Sequence, residues 1–468
     1  MKELRVRSPL DSTTSRLFGI VIGTGIVSGS IGAGYLAVLH LLQRGLWPDH
    51  SGLVVHGAIL VAVGAAVTLL TRLLGSAGDV ELLVDNIHVA GGADDLRRLP
   101  SLLPVPLLCV SAGGAMGPEA PLVQTSGTVG SWIGRRAGLD AAGLRVVTIT
   151  GMAAAFTVLF GTPLGAALFA LEILHRRGLE YYEALMPAVL GSLSGYAVYV
   201  LVTGVGLEPV WTFPEVGAVH GGDLGWAVLC GVVGAIVAVA FTYLSQVLRA
   251  VVKRVPSAAR PVCGGAALAL LAWASPFALT FVEAQIGEIM TTQLAVRTLC
   301  IAAVAKLTAS SVTLSPGWKG GFIILLFFVG TCLGLVGHHL FPSSNVVVVV
   351  VGALMAACNV GVTKTPLGSV LVVTETAGIV LLPITLIASV VALVLTSDVG
   401  LIESQRHRSG PAPLRSDDGP ELRPWLNGDR RGPAAPTLPR RTTACSPGSA
   451  SRCACSSASP RRRPARPG

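Results

Sequence analysis

The sequence predicts an all-α polytopic membrane protein assembled from two repeats of broken helices. Three observations carry this. Of the 468 residues 52% are hydrophobic and only 13% charged, with a mean hydropathy of +0.69, where soluble domains carry about 25% charged residues. Many of the apolar segments are shorter than the ~20 residues that span a bilayer, and glycine or proline interrupts them. A long stretch of the first half recurs in the second at one fixed offset.

The elements follow in order. Residues 1–16 are polar and basic. The apolar run Leu17–Leu42 is too long for a signal-peptide core and reads as a retained membrane helix. Leu53–Leu74 is a second spanning helix, and residues 75–101 are a polar interlude. Broken segments follow at 102–116, 122–134, 143–160 and 162–174, then a crossing segment at 183–204 and a loop at 205–221. The second half offers 222–251, 261–282, 293–314, 320–341, 345–358, 365–378 and 379–396. The domains are therefore an N-terminal segment (1–16), a first membrane repeat (17–205), a second (206–402) and a tail (403–468). The tail holds 13 Arg against 5 acidic residues in a Pro/Ser/Gly-rich setting, so disorder is expected there. Most of the net charge of +9 lies in it. A basic stretch beside a membrane suits the cytoplasmic face and anionic lipid, and nucleic acid is not expected as a partner.

The 56 glycines fit a tightly packed helix bundle. Six of the nine cysteines are scattered singly through apolar segments, a pattern of small buried hydrophobes and not of a disulfide framework or metal site. The pair His338-His339 is expected at the membrane interface, and Lys319 and Lys364 are expected to snorkel or to steer anions. No metal, no cofactor and no enzymatic constellation is expected.

The stretch Gly117-Pro118-Glu119-Ala120-Pro121 is where chemistry concentrates. Its carboxylate lies in apolar sequence, the nearest basic residues being Arg98 and Arg135. A charge at the bilayer centre costs roughly 2.5–3.5 kcal/mol on insertion scales, so such residues default to function. Two prolines and a glycine exclude a mid-helix position, and a break at that depth needs protein or water around it.

An ungapped offset of 203 residues aligns residues 117–172 with 320–375. Thr162-Pro163-Leu164-Gly165 meets Thr365-Pro366-Leu367-Gly368, Glu172 meets Glu375, and Gly117 meets Gly320. Glu119 meets Phe322, so the break is duplicated and the acid is not. Two helix N-termini converging near the midplane would make an anion site, since each carries free amides and about half a positive charge. Glu119 would compete with the ion for it. Glu172 and Glu375 read either as shared structural groups at helix ends or as proton-handling groups.

At these residues the chain resembles the CLC family of chloride channels and proton/chloride exchangers. Gly117-Pro118-Glu119-Ala120-Pro121 with Val123-Gln124 is similar to the family's Gly-Lys/Arg-Glu-Gly-Pro motif. Gly161–Glu172, Lys364-Thr365-Pro366-Leu367 and Gly320-Gly321-Phe322-Ile323 resemble further family segments, and the likeness covers roughly residues 17–403. The resemblance implies a CLC-like fold of two inverted-topology repeats and an antiparallel homodimer with one pore per subunit. It implies Glu119 as the gating and proton-responsive glutamate, with Ser76, Ala120, Phe322 and Ile323 as anion-binding positions. Three positions depart from the pattern. Pro118 replaces a basic residue, Ile173 stands where exchangers carry an internal proton-accepting glutamate, and Ile402 stands where a tyrosine hydroxyl is expected. No pair of the family's nucleotide-binding domains is expected after the body.

The expected function is passage of chloride or a similar small monovalent anion across a bacterial-type inner membrane. Ile173 favours channel-like conduction over proton-coupled exchange. A cation-coupled transporter of an organic solute would need paired intramembrane acids and a roomier polar pocket.

Overall fold

The computed structural model describes residues 12–47, 52–75, 84–88, 91–92, 99–177, 181–204, 219–281, 283–341, 346–402 and 404–407, with isolated positions between 206 and 217. Ser76 and almost all of the tail lie outside the described residues.

The first half runs through α1 (Ser12–Leu46), α2 (Leu53–Leu74), the short α3 (Leu99–Leu102) and α4 (Pro104–Ser111). It continues with α5 (Glu119–Arg136), α6 (Ala141–Phe160), α7 (Pro163–Glu172) and α8 (Leu185–Thr203). The second half runs through α9 (Asp223–Val252), α10 (Arg260–Ala274), α11 (Glu283–Thr291) and α12 (Val296–Leu314). It closes with α13 (Ile323–Leu340), α14 (Val346–Thr363), α15 (Pro366–Ala377) and α16 (Leu382–Leu395). Seven helices among the described residues are long and apolar enough to cross a membrane. Apolar side chains such as Leu201, Ile236 and Leu270 point outward, as a lipid-facing surface requires. The fold is an all-α membrane architecture of broken helices.

The 203-residue offset survives folding. α4 and α12 end at Ser111 and Leu314, and α7 and α15 begin at Pro163 and Pro366, pairs separated by that same offset. Proline is at home there, because the first turn of a helix has no acceptor for its missing N–H. Within the first half α5 packs on α6 and α1 on α8; within the second, α13 packs on α14 and α9 on α16. Between the halves, elements meet their own counterparts: α2 packs against α10 and α7 against α15. That is the contact pattern of a pseudo-two-fold axis passing between the repeats.

At the crossing of α7 and α15, a methyl on Gly165 would meet Val372 N at 2.6 Å, and one on Gly368 would meet Phe169 N at 2.6 Å. Each glycine therefore admits the other helix's backbone, the small-residue contact that apolar helices use in lipid.

Several boundaries differ from the sequence reading. The segment 261–282 breaks at Ser275, where extended backbone (φ −157°) precedes Pro276 and a short turn at Pro276–Ala278. The residue before a proline is pushed out of the helical region. Cys263 and Cys300 face outward, unlike the buried Cys109, Cys230, Cys332 and Cys358. Lys364 does not snorkel. It is 3% exposed, adopts φ +62° where the first repeat has Gly161, and its Nζ donates to Gly361 O and Thr396 O, each at 2.6 Å. The cation thus caps two helix C-termini, where its charge opposes the negative ends of the helix dipoles.

Candidate functional site

Two helix starts face each other at the middle of the molecule. Gly117, just before α5, and Gly321, just before α13, exchange both main-chain hydrogen bonds: Gly117 N–H to Gly321 O at 2.9 Å and Gly321 N–H to Gly117 O at 2.7 Å. This isolated antiparallel bridge ties the repeats together at their broken helices. A methyl on either glycine would overlap the Glu119 carboxylate where it now lies, so a side chain at either position would push the carboxylate off the α13 amides.

Glu119 is the first residue of α5 and is fully buried. Its Oε1 accepts the main-chain N–H of Ile324 at 2.7 Å, in the first turn of α13. Its Oε2 is buried and has no hydrogen-bond partner among the described residues. The carboxylate of one repeat thus sits on the free amides that begin the other repeat's helix, a position where negative charge is stabilised. One oxygen is compensated and the other is not, and a buried uncompensated polar atom is costly. Asn359 steadies the receiving end, donating from Nδ2 to Ile323 O at 3.0 Å.

Two cavities meet at this point. A small cavity of about 20 Å³ beside Glu119 is walled by Val123, Met152, Phe156 and Ile173. A wide cavity of about 330 Å³ is lined by Gln124, Arg249, Lys319 and Ile402 among others. Ala120 and Phe322 line both, so these two residues form the constriction between Glu119 and the wide mouth. Ile402 lines the mouth where the family resemblance put a hydroxyl, and Ile173 is an apolar wall of the inner cavity. Gln405 fastens the end of the membrane body beneath them, donating from Nε2 to Ile173 O at 2.9 Å and Thr363 O at 2.8 Å.

Glu172 and Glu375 line neither cavity and lie at the α7–α15 crossing. Glu172 Oε2 accepts Gly368 N–H at 2.7 Å and its Oε1 accepts Leu367 N–H at 3.1 Å. Glu375 Oε1 accepts Gly165 N–H at 2.6 Å. Each acid caps the start of its counterpart's helix, and both carboxylates are occupied as helix caps. His339 Nδ1 sits 2.9 Å from Leu335 O, and no group of three or more metal-ligating side chains occurs among the described residues.

The structure therefore brings Glu119, Ala120, Phe322, Ile323, Ile173 and Ile402 into one region and leaves Glu172 and Glu375 at the α7–α15 crossing. Sequence reasoning missed Ile324, whose amide receives Glu119, and it missed Arg249, Asn359 and Gln405. It also passed over Lys306, which is fully buried. An isolated cation within an apolar segment was the signal available for Lys306, by the same logic that singled out Glu119.

Broken helices meeting start to start in a two-repeat membrane body are the arrangement of membrane channels and transporters whose binding sites lie between discontinuous helices. The model of the voltage gated chloride channel family matches residues 63–397, and the chain belongs to that family. It is 28% identical over 379 residues to the chloride/fluoride channel protein of Pseudomonas syringae pv. tomato, covering 77% of this chain and 82% of the relative. It is 27% identical over 375 residues to the putative ion-transport protein YfeO of Escherichia coli, covering 76% and 84%. Among solved structures, a slow cyanobacterial Cl−/H+ antiporter matches with a TM-score of 0.72 at 18% identity, over 81% of this chain and 94% of that one. A CLC-type fluoride/proton antiporter also matches at 0.72, with 21% identity, over 86% and 100%. These two likenesses concern the fold.

Proposed function

We propose that this protein passes a small monovalent anion, chloride or fluoride, through a pore at the Gly117–Gly321 junction, with Glu119 as its gate. The observation that carries the reading is the cross-repeat bond from Ile324 N–H to Glu119 Oε1 at 2.7 Å. The ionised side chain occupies amides that would otherwise replace the ion's water. Protonation removes the charge that holds it there, and the site becomes free for the anion. The wide mouth bearing Arg249 and Lys319 collects anions, and Ala120 and Phe322 select them at the constriction.

Conduction is channel-like in this reading. The walls of the cavity beside Glu119, Val123, Met152, Phe156 and Ile173, carry no titratable group, so they offer a proton leaving Glu119 inward no acceptor. The function requires no cofactor, and the subunit works in a bacterial inner membrane as a homodimer.

Reconstituted vesicles with an imposed chloride gradient test the mode. The channel reading predicts anion flux without net proton uptake. Uphill proton movement driven by the gradient would establish exchange and overturn it.

A further inference from the structure

Lys306 is fully buried on α12, and both of its hydrogen-bond acceptors are main-chain carbonyls: Leu279 O at 2.7 Å and Thr280 O at 3.0 Å. Its Nζ lies 5.5 Å from the centre of the Phe328 ring on α13, a cation–π contact. A buried cation inside a membrane body is expensive to maintain, and capping one turn is a small return for it.

What Thr280 does next explains the expense. Thr280 adopts φ +64°, a conformation that a β-branched residue holds only when its surroundings impose it. Lys306 holds its carbonyl, while its own N–H donates to Gly113 O at 2.9 Å. Gly113 belongs to the linker from α4 to α5 that delivers Glu119. One turn further along the same face of α12, fully buried Ser310 donates from Oγ to Ala115 O at 2.8 Å, in that same linker. Two adjacent side chains of the second repeat therefore grip the linker of the first at two points, one directly and one through Thr280.

The repeat offset sharpens this. The counterparts of Lys306 and Ser310 are Leu103 and Leu107, which have no polar group to offer. The pair of side chains that holds the linker carrying the acid is therefore not repeated on α4, where leucines stand at both positions.

We propose that Lys306 and Ser310 are positioning residues for the gate: they fix the 113–118 linker so that the Glu119 carboxylate reaches the amides of α13. The titratable groups near Lys306 among the described residues are Cys332 on α13 and, beside it, Cys300 on α12; neither lies in the linker. Loosening the grip weakens the hold of the amides on ionised Glu119, so the gate opens at higher pH.

This inference rests on Glu119 being the gate. The test is anion efflux from vesicles against pH, for Lys306→Met, which keeps length and ring packing, and for the milder Ser310→Ala, each in the native and the Glu119→Gln background. Each substitution is expected to move the pH midpoint of flux upward by about half a unit or more in the native background. Neither is expected to change flux with pH in the Glu119→Gln background. If the midpoints stay at the native value, or if flux merely falls by the same factor in both backgrounds, the residues are structural props and the inference is overturned. Should Lys306→Met not fold, Ser310→Ala decides alone. Loss of the gate reading itself is distinguishable, because Glu119→Gln alone would then leave the native pH dependence in place.

Discussion

Glu172 and Gly368 are joined by a hydrogen bond of 2.7 Å from the glycine amide to the carboxylate, and the bond between Gly165 and Glu375, 2.6 Å, is its image in the other repeat. Each helix of the α7–α15 pair ends in an acid that caps the start of its partner. Removing either acid leaves part-buried amides unsatisfied. Glu172→Ala and Glu375→Ala are each expected to destabilise the protein by about 1–3 kcal/mol. Glutamine at either position keeps an acceptor and should cost less. Thermal unfolding in detergent, monitored by loss of the monodisperse peak, checks the order native, glutamine, alanine.

The same crossing depends on its glycines. A methyl at position 165 would stand 2.6 Å from Val372 N, and at 368 would stand 2.5 Å from Phe169 Cα. Backbone cannot yield as a side-chain tip can. Gly165→Ala and Gly368→Ala are therefore expected to cost about 1–3 kcal/mol each through overpacking, read by the same thermal assay.

The wide mouth makes an electrostatic prediction. Arg249 and Lys319 line it, and cations at a pore mouth raise the local anion concentration. Arg249→Gln and Lys319→Gln should lower anion flux severalfold at low ionic strength, on the order expected for lost steering. The deficit should shrink in high salt as screening replaces it. A deficit of equal size at all salt concentrations would show that these side chains act otherwise.

Phe322 stands between the two cavities. Phe322→Ala should widen the constriction, raise flux and reduce discrimination among halides. Competition of chloride flux by bromide and fluoride measures this, and unchanged discrimination would place the selective element elsewhere.

Much of this arrangement was legible in the residues alone, for identifiable reasons. The duplicated Thr-Pro-Leu-Gly fixed the register of the repeats because proline at a helix start and glycine at a helix crossing leave marks that composition does not blur. Glu119 stood out because a lone carboxylate in apolar sequence is costly. Ile324 could not be found this way, since what it contributes is a main-chain amide that any residue would supply. The two uses of glutamate, a cap at positions 172 and 375 and a half-compensated carboxylate at 119, differ only in what folding brings near them. Lys364 was misjudged because its sequence neighbours hide its acceptor: Thr396 lies 32 residues away. Lys306 shows the reverse case, a visible signal whose meaning needed the 276–280 turn to be in place.

The central claim is that ionised Glu119 closes the pore by occupying the α13 amides. The sign follows from charge: the carboxylate competes with anions when deprotonated, so acidification relieves the block. Anion efflux from reconstituted vesicles, measured across pH for the native protein and for Glu119→Gln, is the most direct test. The account predicts native flux that rises as pH falls, and Glu119→Gln flux that is high and nearly flat. A Glu119→Gln protein that keeps the native rate and the native pH dependence would contradict it.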